Sequence, residues 1–220
     1  VIGLIITMPS KLPEKPPIQY SAQEQKAINI QRESQNSQSD YTAILSFIKS
    51  KFKKIKKEDA EAISKYLVQY GNENKIDPKF AAALIARESA FNKEAISATG
   101  AKGLGQIKEF NFEALKINNP FNIKENVSGT TEYLRKMLNK WETQMNKEKI
   151  KSNNHQKGNM PTQPAIIKPN SEAEKVELSV ASYFKGFTNI KNEGGKLDEK
   201  TKSYVNDILE YYDQIMRQSE

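Results

Sequence analysis

The sequence has 220 residues, of which 37% are hydrophobic and 28% are charged. This length fits one domain of ordinary size, or a smaller domain with appendages, and argues against two full enzymatic domains. The composition excludes collagen-like and polytopic membrane proteins. The 34 Lys and Arg residues outnumber the 27 Asp and Glu residues, giving a net charge of +7. This excess favours an anionic partner such as nucleic acid, an acidic membrane surface or an anionic glycan.

The chain contains no cysteine, which excludes disulfides, thiolate nucleophiles, thiolate zinc sites and iron–sulfur clusters built from its own residues. Its one histidine, His155, lies in the polar run Ser152–Gly158 and is predicted to be a solvated loop residue. A Ser-His-Asp triad or a multi-histidine metal site therefore has almost nothing to be built from. Any catalysis is expected to come from carboxylates, hydroxyls, amides or lysines, with no metal and no cofactor.

Residues 1–40 are predicted to form a flexible N-terminal segment. Val1–Thr7 is apolar but far too short to span a bilayer, which takes about 20 residues. We interpret it as the remnant of a signal or membrane anchor, the alternative being a random apolar tail. Ser21–Asp40 is rich in Gln, Ser, Asn and Glu without a sustained period, which indicates a flexible spacer.

From Tyr41 the apolar residues recur at three- and four-residue steps, which predicts an amphipathic helix. Its apolar stripe consists of Tyr41, Ile44, Leu45, Ile48, Phe52 and Ile55. The opposite face is basic and carries Lys49, Lys51, Lys53, Lys54, Lys56 and Lys57. This face either holds a polyanion or is a solvated surface, and the second reading is favoured in a lysine-rich chain.

Two more helix starts follow. Asp59 is predicted to cap a helix that buries Ile63, Tyr66, Leu67 and Tyr70 and is broken at Gly71–Lys75. Asp77-Pro78 predicts a third helix running to Phe91, because Asp accepts from free amides and Pro loses no hydrogen bond at the first helical position.

The second half of the chain shows three further helical patterns. One stripe contains Leu134, Met137, Leu138, Trp141 and Met145, and the polar run after it, about 146–170, is predicted to be an extended loop or insertion. Ser171 and Glu174 predict a capping box for a helix with Val176, Val180 and Phe184, ended by Gly186. The last helix starts near Glu199 and carries Tyr204, Ile208, Tyr211 and Ile215. With no convincing strand pair, the fold class is mainly α.

Glu88 is the candidate catalytic residue. It follows Leu84 by four positions and Phe80 by eight, so its carboxylate lies on the apolar helix face. Partial burial there favours the neutral form and raises the pKa, as a general acid requires. The alternative is a structural glutamate that pairs with a core arginine or caps a neighbouring helix.

A glycine-rich segment, Ser97–Ile107, follows this helix and contains Gly100, Gly103 and Gly105. The segment matches a phosphate-binding loop poorly, since no strand precedes it and no Gly-Lys-Ser/Thr is present. A turn that aims the Gln106 amide into a sugar-binding cleft is a better interpretation, weighed evenly against a simple connecting loop.

These residues resemble a known family, the soluble lytic transglycosylase (SLT) domain of the lysozyme-like superfamily. The first matching motif is Glu88-Ser89-Ala90-Phe91-Asn92, and the second comprises Ala95, Ser97, Gly100-Ala101, Gly103-Leu104 and Gln106-Ile107. Downstream matches are Asn126-Val127-Ser128-Gly129, Tyr133-Leu134, Ala181–Gly186, Thr201, Tyr204-Val205 and Tyr211-Tyr212. The resemblance covers roughly Tyr41 to Ile215 in the family's order, and it implies one lysozyme-like catalytic domain over 41–220.

Three residues depart from the family pattern. Gly105 stands where Met is usual, Lys93 where Pro is common, and Phe184 where Asn is normal. We expect Gly105 to widen the cleft floor beneath the sugar. The loss of the Asn amide at Phe184 is expected to weaken a hydrogen bond that organises the cleft.

The resemblance implies that Glu88 cleaves the bond between N-acetylmuramic acid and N-acetylglucosamine, first as acid and then as base, leaving 1,6-anhydromuramic ends. Most glycosidases need a second carboxylate. The nearest candidate is Glu94, at a position that the resembled family leaves variable and that is expected to be exposed. The resemblance assigns substrate binding to Ser89, Gln106, Tyr183, Gly103 and Leu104. Tyr183 is further expected to hydrogen-bond Glu88 and tune its pKa, with helix packing as the alternative; Phe91 and Leu104 are more in keeping with cleft wall and core.

Two other functions stay open at this point: a hydrolytic lysozyme-type muramidase, and a catalytically weak glycan-binding or scaffold module of an envelope machine. The implied partner is the peptidoglycan glycan strand, with no nucleic acid, a membrane tether through the N-terminus, and a monomeric state. Because that substrate lies outside the cytoplasm, the chain is expected to be exported to the periplasm or cell envelope.

Overall fold

The structure, a computed structural model, describes residues 21–154 and 171–218. The described residues form seven α-helices and two short 3-10 turns. The helices are α1 (Ala22–Lys51), α2 (Lys57–Asn74), α3 (Pro78–Ser89), α4 (Ile123–Asn154), α5 (Glu172–Lys185), α6 (Phe187–Asn192) and α7 (Glu199–Met216). The 3-10 turns are Glu109–Asn111 and Glu113–Leu115. This confirms the mainly α fold class.

The chain divides into two units, residues 1–36 and 37–220. The described part of the first unit is the exposed beginning of α1, and the second unit holds all the other described elements. None of the helices in the described ranges is both long and apolar enough to cross a membrane.

The prediction of a flexible spacer over Ser21–Asp40 is wrong for the described structure, in which the helix α1 begins at Ala22. Ser21 and Glu24 form a reciprocal capping box: the Glu24 carboxylate accepts from the Ser21 amide at 2.8 Å, and the Ser21 hydroxyl accepts from the Glu24 amide at 3.3 Å. The helix is polar all round here because it is exposed, so it has no apolar period to detect. Residues 1–20, including the predicted anchor remnant, lie outside the described residues.

Two other predicted boundaries need correction. The second helix starts at Lys57, not after Asp59, and continues through Gly71 to Asn74, where Lys75 closes it in the left-handed conformation. Asp59 instead accepts a hydrogen bond from the Lys93 amine at 2.8 Å, which gives Lys93 a structural role where the family often has Pro. The helix α4 continues to Asn154, so the polar loop predicted over about 146–170 cannot begin near residue 146. Residues 155–170, with His155, lie outside the described residues.

The helix α3 is the centre of the fold. Asp77 caps it by accepting from the Lys79 amide at 2.8 Å, as predicted, and every side chain from Phe80 to Ala86 is buried. Its neighbours are α2 and α7. The run of alanines keeps the helix slim and allows this close packing. Consequently the last turn of α3, with Glu88 and Ser89, emerges from the core beside α7.

The helices α4 and α5 are joined by a buried hydrogen-bonded tryptophan. The Trp141 indole donates to the Leu178 carbonyl at 3.1 Å and to the Ser182 hydroxyl at 2.9 Å. Ser171 caps α5 by accepting from the Glu174 amide at 3.1 Å, and Gly186 ends it, both as predicted. This arrangement places Tyr183 and Phe184, the last turn of α5, near the end of α3.

Candidate active site

Glu88 lies in the last turn of α3, immediately before a reversal of the chain. Ala90 and Phe91 both adopt left-handed backbone conformations there, with φ of 50° and 61°. Phe91 is buried and anchors this turn in the core. The Glu88 carboxylate is half-buried and accepts a hydrogen bond from the Tyr204 phenol of α7 at 2.5 Å.

Burial raises the pKa of Glu88 from its ordinary value of 4.5 to about 7. The Tyr204 hydrogen bond and the charge of Arg87 oppose this rise, but burial outweighs both. A carboxyl group with this pKa is present in both protonation states near neutral pH. It can therefore give up a proton and take one back, which are the two tasks of a general acid and base.

A cleft of about 690 Å³ opens at this carboxylate. Its lining brings together three predicted site residues, Glu88, Ser89 and Gln106. The remaining lining residues are Lys51, Ala86, Arg87, Ala90, Ala95, Ile96, Ser97, Asp207, Glu210 and Tyr211. Gly103, Leu104 and Tyr183 are buried and are not among the residues that line this cleft.

Ser89 and Gln106, which both follow Glu88 in the chain, line the cleft with polar side chains. The Ser89 hydroxyl donates to the Ile85 carbonyl at 3.3 Å, a long bond for a hydroxyl. Gln106 has a left-handed backbone with φ of 50°. Its side-chain nitrogen, Nε2, donates to the carbonyls of Ala95 and Gly103 at 3.1 and 2.9 Å. The Gln106 side chain thus stabilises its own loop while lining the cleft.

Gly103 and Leu104 build this loop from the inside. Gly103 has a φ of 75°, and a Cβ there would lie 2.1 Å from the Pro120 carbonyl oxygen and 2.3 Å from the Asn126 amide nitrogen. Leu104 is completely buried in the main core. Both residues therefore fix the loop by packing, and their contact with a glycan stays a prediction.

Gly105 does not widen the cleft floor, contrary to expectation. A Cβ at Gly105 would lie 1.9 Å from the Thr130 hydroxyl oxygen, so Thr130 of α4 occupies the space that a side chain would take. The Gly105 amide donates to the Asn126 side chain at 2.8 Å, and its carbonyl accepts from the Tyr183 phenol at 2.7 Å. The glycine is thus a close-packing point between the loop and α4.

The prediction that Tyr183 hydrogen-bonds Glu88 is wrong, because the Tyr183 phenol donates to the Gly105 carbonyl instead. Tyr183 is still close enough to Glu88 for that charge to raise the pKa of its buried phenol, after the larger effect of burial itself. The tyrosine that does donate to Glu88 is Tyr204, which the sequence places on the apolar stripe of the last helix and in the family-matching pair Tyr204-Val205, without a role in catalysis. Its place on a stripe beside a carboxylate-bearing helix was the available signal.

Phe184 replaces a hydrogen-bonding amide by a ring contact. Its ring stacks on the Tyr204 ring with centroids 4.5 Å apart and planes inclined by 19°. Phe184 is 39% exposed, and the Lys200 amine lies 5.6 Å from its ring centroid. The residue where the family normally has Asn therefore contacts the very side chain that donates to Glu88.

Two further carboxylates line the cleft, and sequence analysis named neither. Asp207 of α7 accepts from the Arg87 guanidinium at 2.7 Å, and Glu210 accepts from the Gln214 side chain at 3.0 Å. Glu94, the candidate chosen from sequence, is exposed and does not line this cleft. Only a fold that brings α7 beside α3 reveals these acids.

Comparison with protein-family models identifies a transglycosylase SLT domain over residues 65–206. The match runs from within α2 into α7 and covers well over half of the chain. It contains the cleft carboxylate Glu88, its hydrogen-bond donor Tyr204 and the Ser97–Ile107 loop. The match supports a peptidoglycan-acting function of the lytic-transglycosylase type, and the chain belongs to the transglycosylase SLT domain family.

Proposed function

We propose that this chain is a peptidoglycan lytic transglycosylase that cleaves the β-1,4 bond between N-acetylmuramic acid and N-acetylglucosamine. The observation that carries the proposal is the half-buried Glu88 carboxyl, with a pKa of about 7, at the wall of a cleft large enough for sugar rings. The family match supports the same substrate class.

In the proposed reaction, protonated Glu88 gives its proton to the oxygen that leaves with N-acetylglucosamine, and the bond from that oxygen to C1 of muramic acid breaks. The C6 hydroxyl of the same muramic acid then forms a bond to C1 and returns its proton to Glu88. The products are a free N-acetylglucosamine hydroxyl and a 1,6-anhydromuramic end. No water is consumed, so one carboxyl group suffices.

The other site residues are proposed to hold the glycan and the loop. Ser89 and Gln106 line the cleft, and the Gln106 amide nitrogen is already used within the loop, which leaves its carbonyl oxygen as the acceptor for a sugar hydroxyl or amide. Tyr183, Gly103 and Leu104 act by fixing the loop that carries Gln106. Tyr204 orients Glu88.

Hydrolysis is the second candidate, because Asp207 and Glu210 line the same cleft and a carboxylate can activate water. Asp207 is less suited to activate a water molecule, because its carboxylate already accepts a hydrogen bond from the Arg87 guanidinium at 2.7 Å. Product mass separates the two reactions: hydrolysis gives reducing ends heavier by one water than anhydro ends. If the products carried only reducing ends, the reaction would be hydrolysis and not transglycosylation.

The test compares the parent with Glu88→Gln on purified peptidoglycan. Glutamine keeps the shape and a hydrogen-bond acceptor for Tyr204 but removes proton transfer, so the rate should fall about 10²- to 10⁴-fold. Glu94→Gln is the matched control, because Glu94 is exposed and outside the cleft, and it should keep the parent rate. Unchanged cleavage by Glu88→Gln contradicts the proposal.

A parent protein that sediments with peptidoglycan but releases no product would support the scaffold function instead. Because peptidoglycan lies outside the cytoplasm, we further propose that the chain works as an exported monomer in the periplasm or cell envelope.

A further inference from the structure

A second groove, of about 620 Å³, adjoins the catalytic cleft. One side is formed by Lys51, the last residue of α1, and by residues 52–55 of the connection to α2. The other side is formed by Ser89, the last residue of α3, and by Ala90 and Asn92 after it. Lys51, Ser89 and Ala90 line both this groove and the cleft at Glu88. A ligand seated in the cleft can therefore extend into this lysine groove without leaving the surface.

The charge of the two spaces differs. The cleft at Glu88 combines Lys51 and Arg87 with the acids Glu88, Asp207 and Glu210. The lysine groove is lined by Lys51, Lys53 and Lys54 and by no acidic residue. A carboxylate is therefore attracted to the groove and not to the acidic part of the cleft.

Within the part of the chain that the structure describes, Lys53 and Lys54 are cations of this groove without an ion-pair partner. Both are exposed, and none of the acidic side chains in the described ranges pairs with either amine. Lys51 differs, because its amine donates to the Gln214 side chain at 2.6 Å and lies 4.8 Å from the Tyr211 ring centroid. Lys53 and Lys54 thus carry the charge available for a ligand.

The backbone that presents these lysines is held in place. The Phe52 ring packs edge to face on Phe47, Phe91 and Tyr211, with centroids 5.1 to 6.3 Å apart. The Ile55 amide closes a turn by donating to the Phe52 carbonyl at 3.0 Å. The two lysines therefore project from a fixed turn beside the catalytic helix, which reduces the ordering cost of binding there.

We propose that the lysine groove binds carboxylates of the peptide attached to the muramic acid lactyl group, so that the enzyme prefers peptide-bearing glycan. This inference rests on the proposed function. The amino sugars are uncharged, and the lactyl carboxyl is used in the amide bond to the peptide, so the remaining carboxylates belong to the peptide. The groove shares Ser89 and Ala90 with the cleft, so the two spaces are continuous and a substituent of a sugar in the cleft can reach the groove.

The test uses two uncross-linked substrates: glycan strands that carry their peptides, and the same strands after an amidase has removed the peptides. The stripped strands keep a free lactyl carboxylate, so they separate this anion from the peptide carboxylates. The double variant Lys53→Gln/Lys54→Gln should lose about fivefold in kcat/KM on peptide-bearing strands and little on stripped strands, in line with two exposed charge pairs. Added salt should reduce the preference of the parent.

The matched control is Lys65→Gln/Lys191→Gln, which removes the same charge from two exposed lysines that line neither space. It should retain the preference of the parent for peptide-bearing strands. Thermal unfolding of both double variants checks that the fold is intact.

Each result supports or overturns the inference. An unchanged ratio between the two substrates in Lys53→Gln/Lys54→Gln overturns it, as does an equal loss on both, because the lysines would then serve the sugar or the fold. Failure of the parent to cleave either substrate overturns the proposed function, and the inference with it.

Discussion

The Tyr204 phenol donates a hydrogen bond to Oε1 of Glu88 at 2.5 Å, although the two residues are 116 positions apart in the chain. This bond joins α7 to the end of α3. The Glu88 charge also raises the pKa of the buried Tyr204 phenol, after burial, so the tyrosine stays protonated and always donates. The closing helix thus fixes both the position and the proton affinity of the candidate acid.

The first prediction concerns the pH dependence of cleavage. The acid step needs protonated Glu88, whose pKa is about 7. We expect kcat/KM to fall as the pH rises through about 7, because the protonated fraction is lost. A profile of kcat/KM against pH on soluble glycan strands measures this fall, which is the alkaline limb of the profile. A profile that stays flat from pH 5 to 9 would show that no group with this pKa is needed.

Tyr204→Phe should raise the pKa of Glu88. The hydrogen bond stabilises the carboxylate, and its removal makes the proton harder to lose. We expect the alkaline limb to move to higher pH and kcat to fall about tenfold, because Glu88 loses its fixed orientation.

Tyr212→Phe is the matched control for this variant. It lies on the same helix, but its phenol donates to Asp77 at 2.7 Å, and it does not line the cleft. It should leave the limb in place. If Tyr204→Phe also leaves the limb unmoved, the phenol does not tune the acid.

Periodicity predicted the buried helices well and the exposed ones poorly. The stripe of α7 exists because one face of that helix meets the core, whereas α3 is apolar because it is buried on nearly every side. The beginning of α1 has no such face, so its composition indicated a spacer although its capping box was in the sequence. At the end of α4, residues 147–154 continue the helix, although their polar composition indicated a loop.

For the site, sequence indicated Glu88 because a carboxylate on an apolar face is unusual. It could not assign the tyrosines, since both Tyr183 and Tyr204 lie on apolar helix faces and the direction of each phenol depends on the packing of α5 and α7. The roles of Gly105 and Thr130 were hidden for the same reason: their contact joins a loop to a helix 25 positions later.

Glu88→Gln should change stability with a distinct pH dependence. Folded Glu88 has a pKa of about 7 and unfolded Glu88 one near 4.5, so the folded state holds the proton more tightly. The stability that this proton gives is complete below pH 4.5 and is lost as the pH rises through 7. The shift corresponds to at most about 3 kcal/mol at 1.36 kcal/mol per pKa unit.

Relative to the parent, Glu88→Gln should therefore gain stability between pH 4.5 and 8 and show little difference at pH 4. Urea unfolding of both proteins at pH 4, 6 and 8 measures the difference. Glu94→Gln, at an exposed position, should follow the parent at each pH. A constant difference for Glu88→Gln across this range would contradict the raised pKa.

Gly105→Ala should destabilise the fold by about 1 to 3 kcal/mol through overpacking, because its Cβ would lie 1.9 Å from the Thr130 hydroxyl oxygen. Thr130→Ala removes that oxygen and should partly rescue the alanine, although the Thr130 Cβ remains at 2.9 Å. Chemical denaturation of the two single variants and the double variant measures the coupling.

Gly100→Ala is the comparison: a Cβ there meets nothing within 4 Å, and only its left-handed φ of 78° opposes the change. Simple additivity at 105 and 130 would refute the contact.

Phe184→Asn restores the usual family residue and removes the ring that stacks on Tyr204. Loss of an aromatic pair should lower the free energy of unfolding by about 1 kcal/mol. It should also reduce kcat about threefold and move the alkaline limb upward, because a less constrained Tyr204 holds the Glu88 carboxylate less well. Phe110→Asn, at an 82% exposed phenylalanine outside the cleft, should leave kcat and the limb unchanged.

A double-mutant cycle with Tyr204→Phe distinguishes positioning from packing. If Phe184 affects catalysis through the Tyr204 phenol, Phe184→Asn should have no further effect on kcat once that phenol is absent. Its effect on stability should persist, because a phenylalanine at 204 still offers a ring to stack on. If Phe184→Asn reduces kcat equally in both backgrounds, Phe184 acts on the glycan or on the fold and not through the hydrogen bond to Glu88.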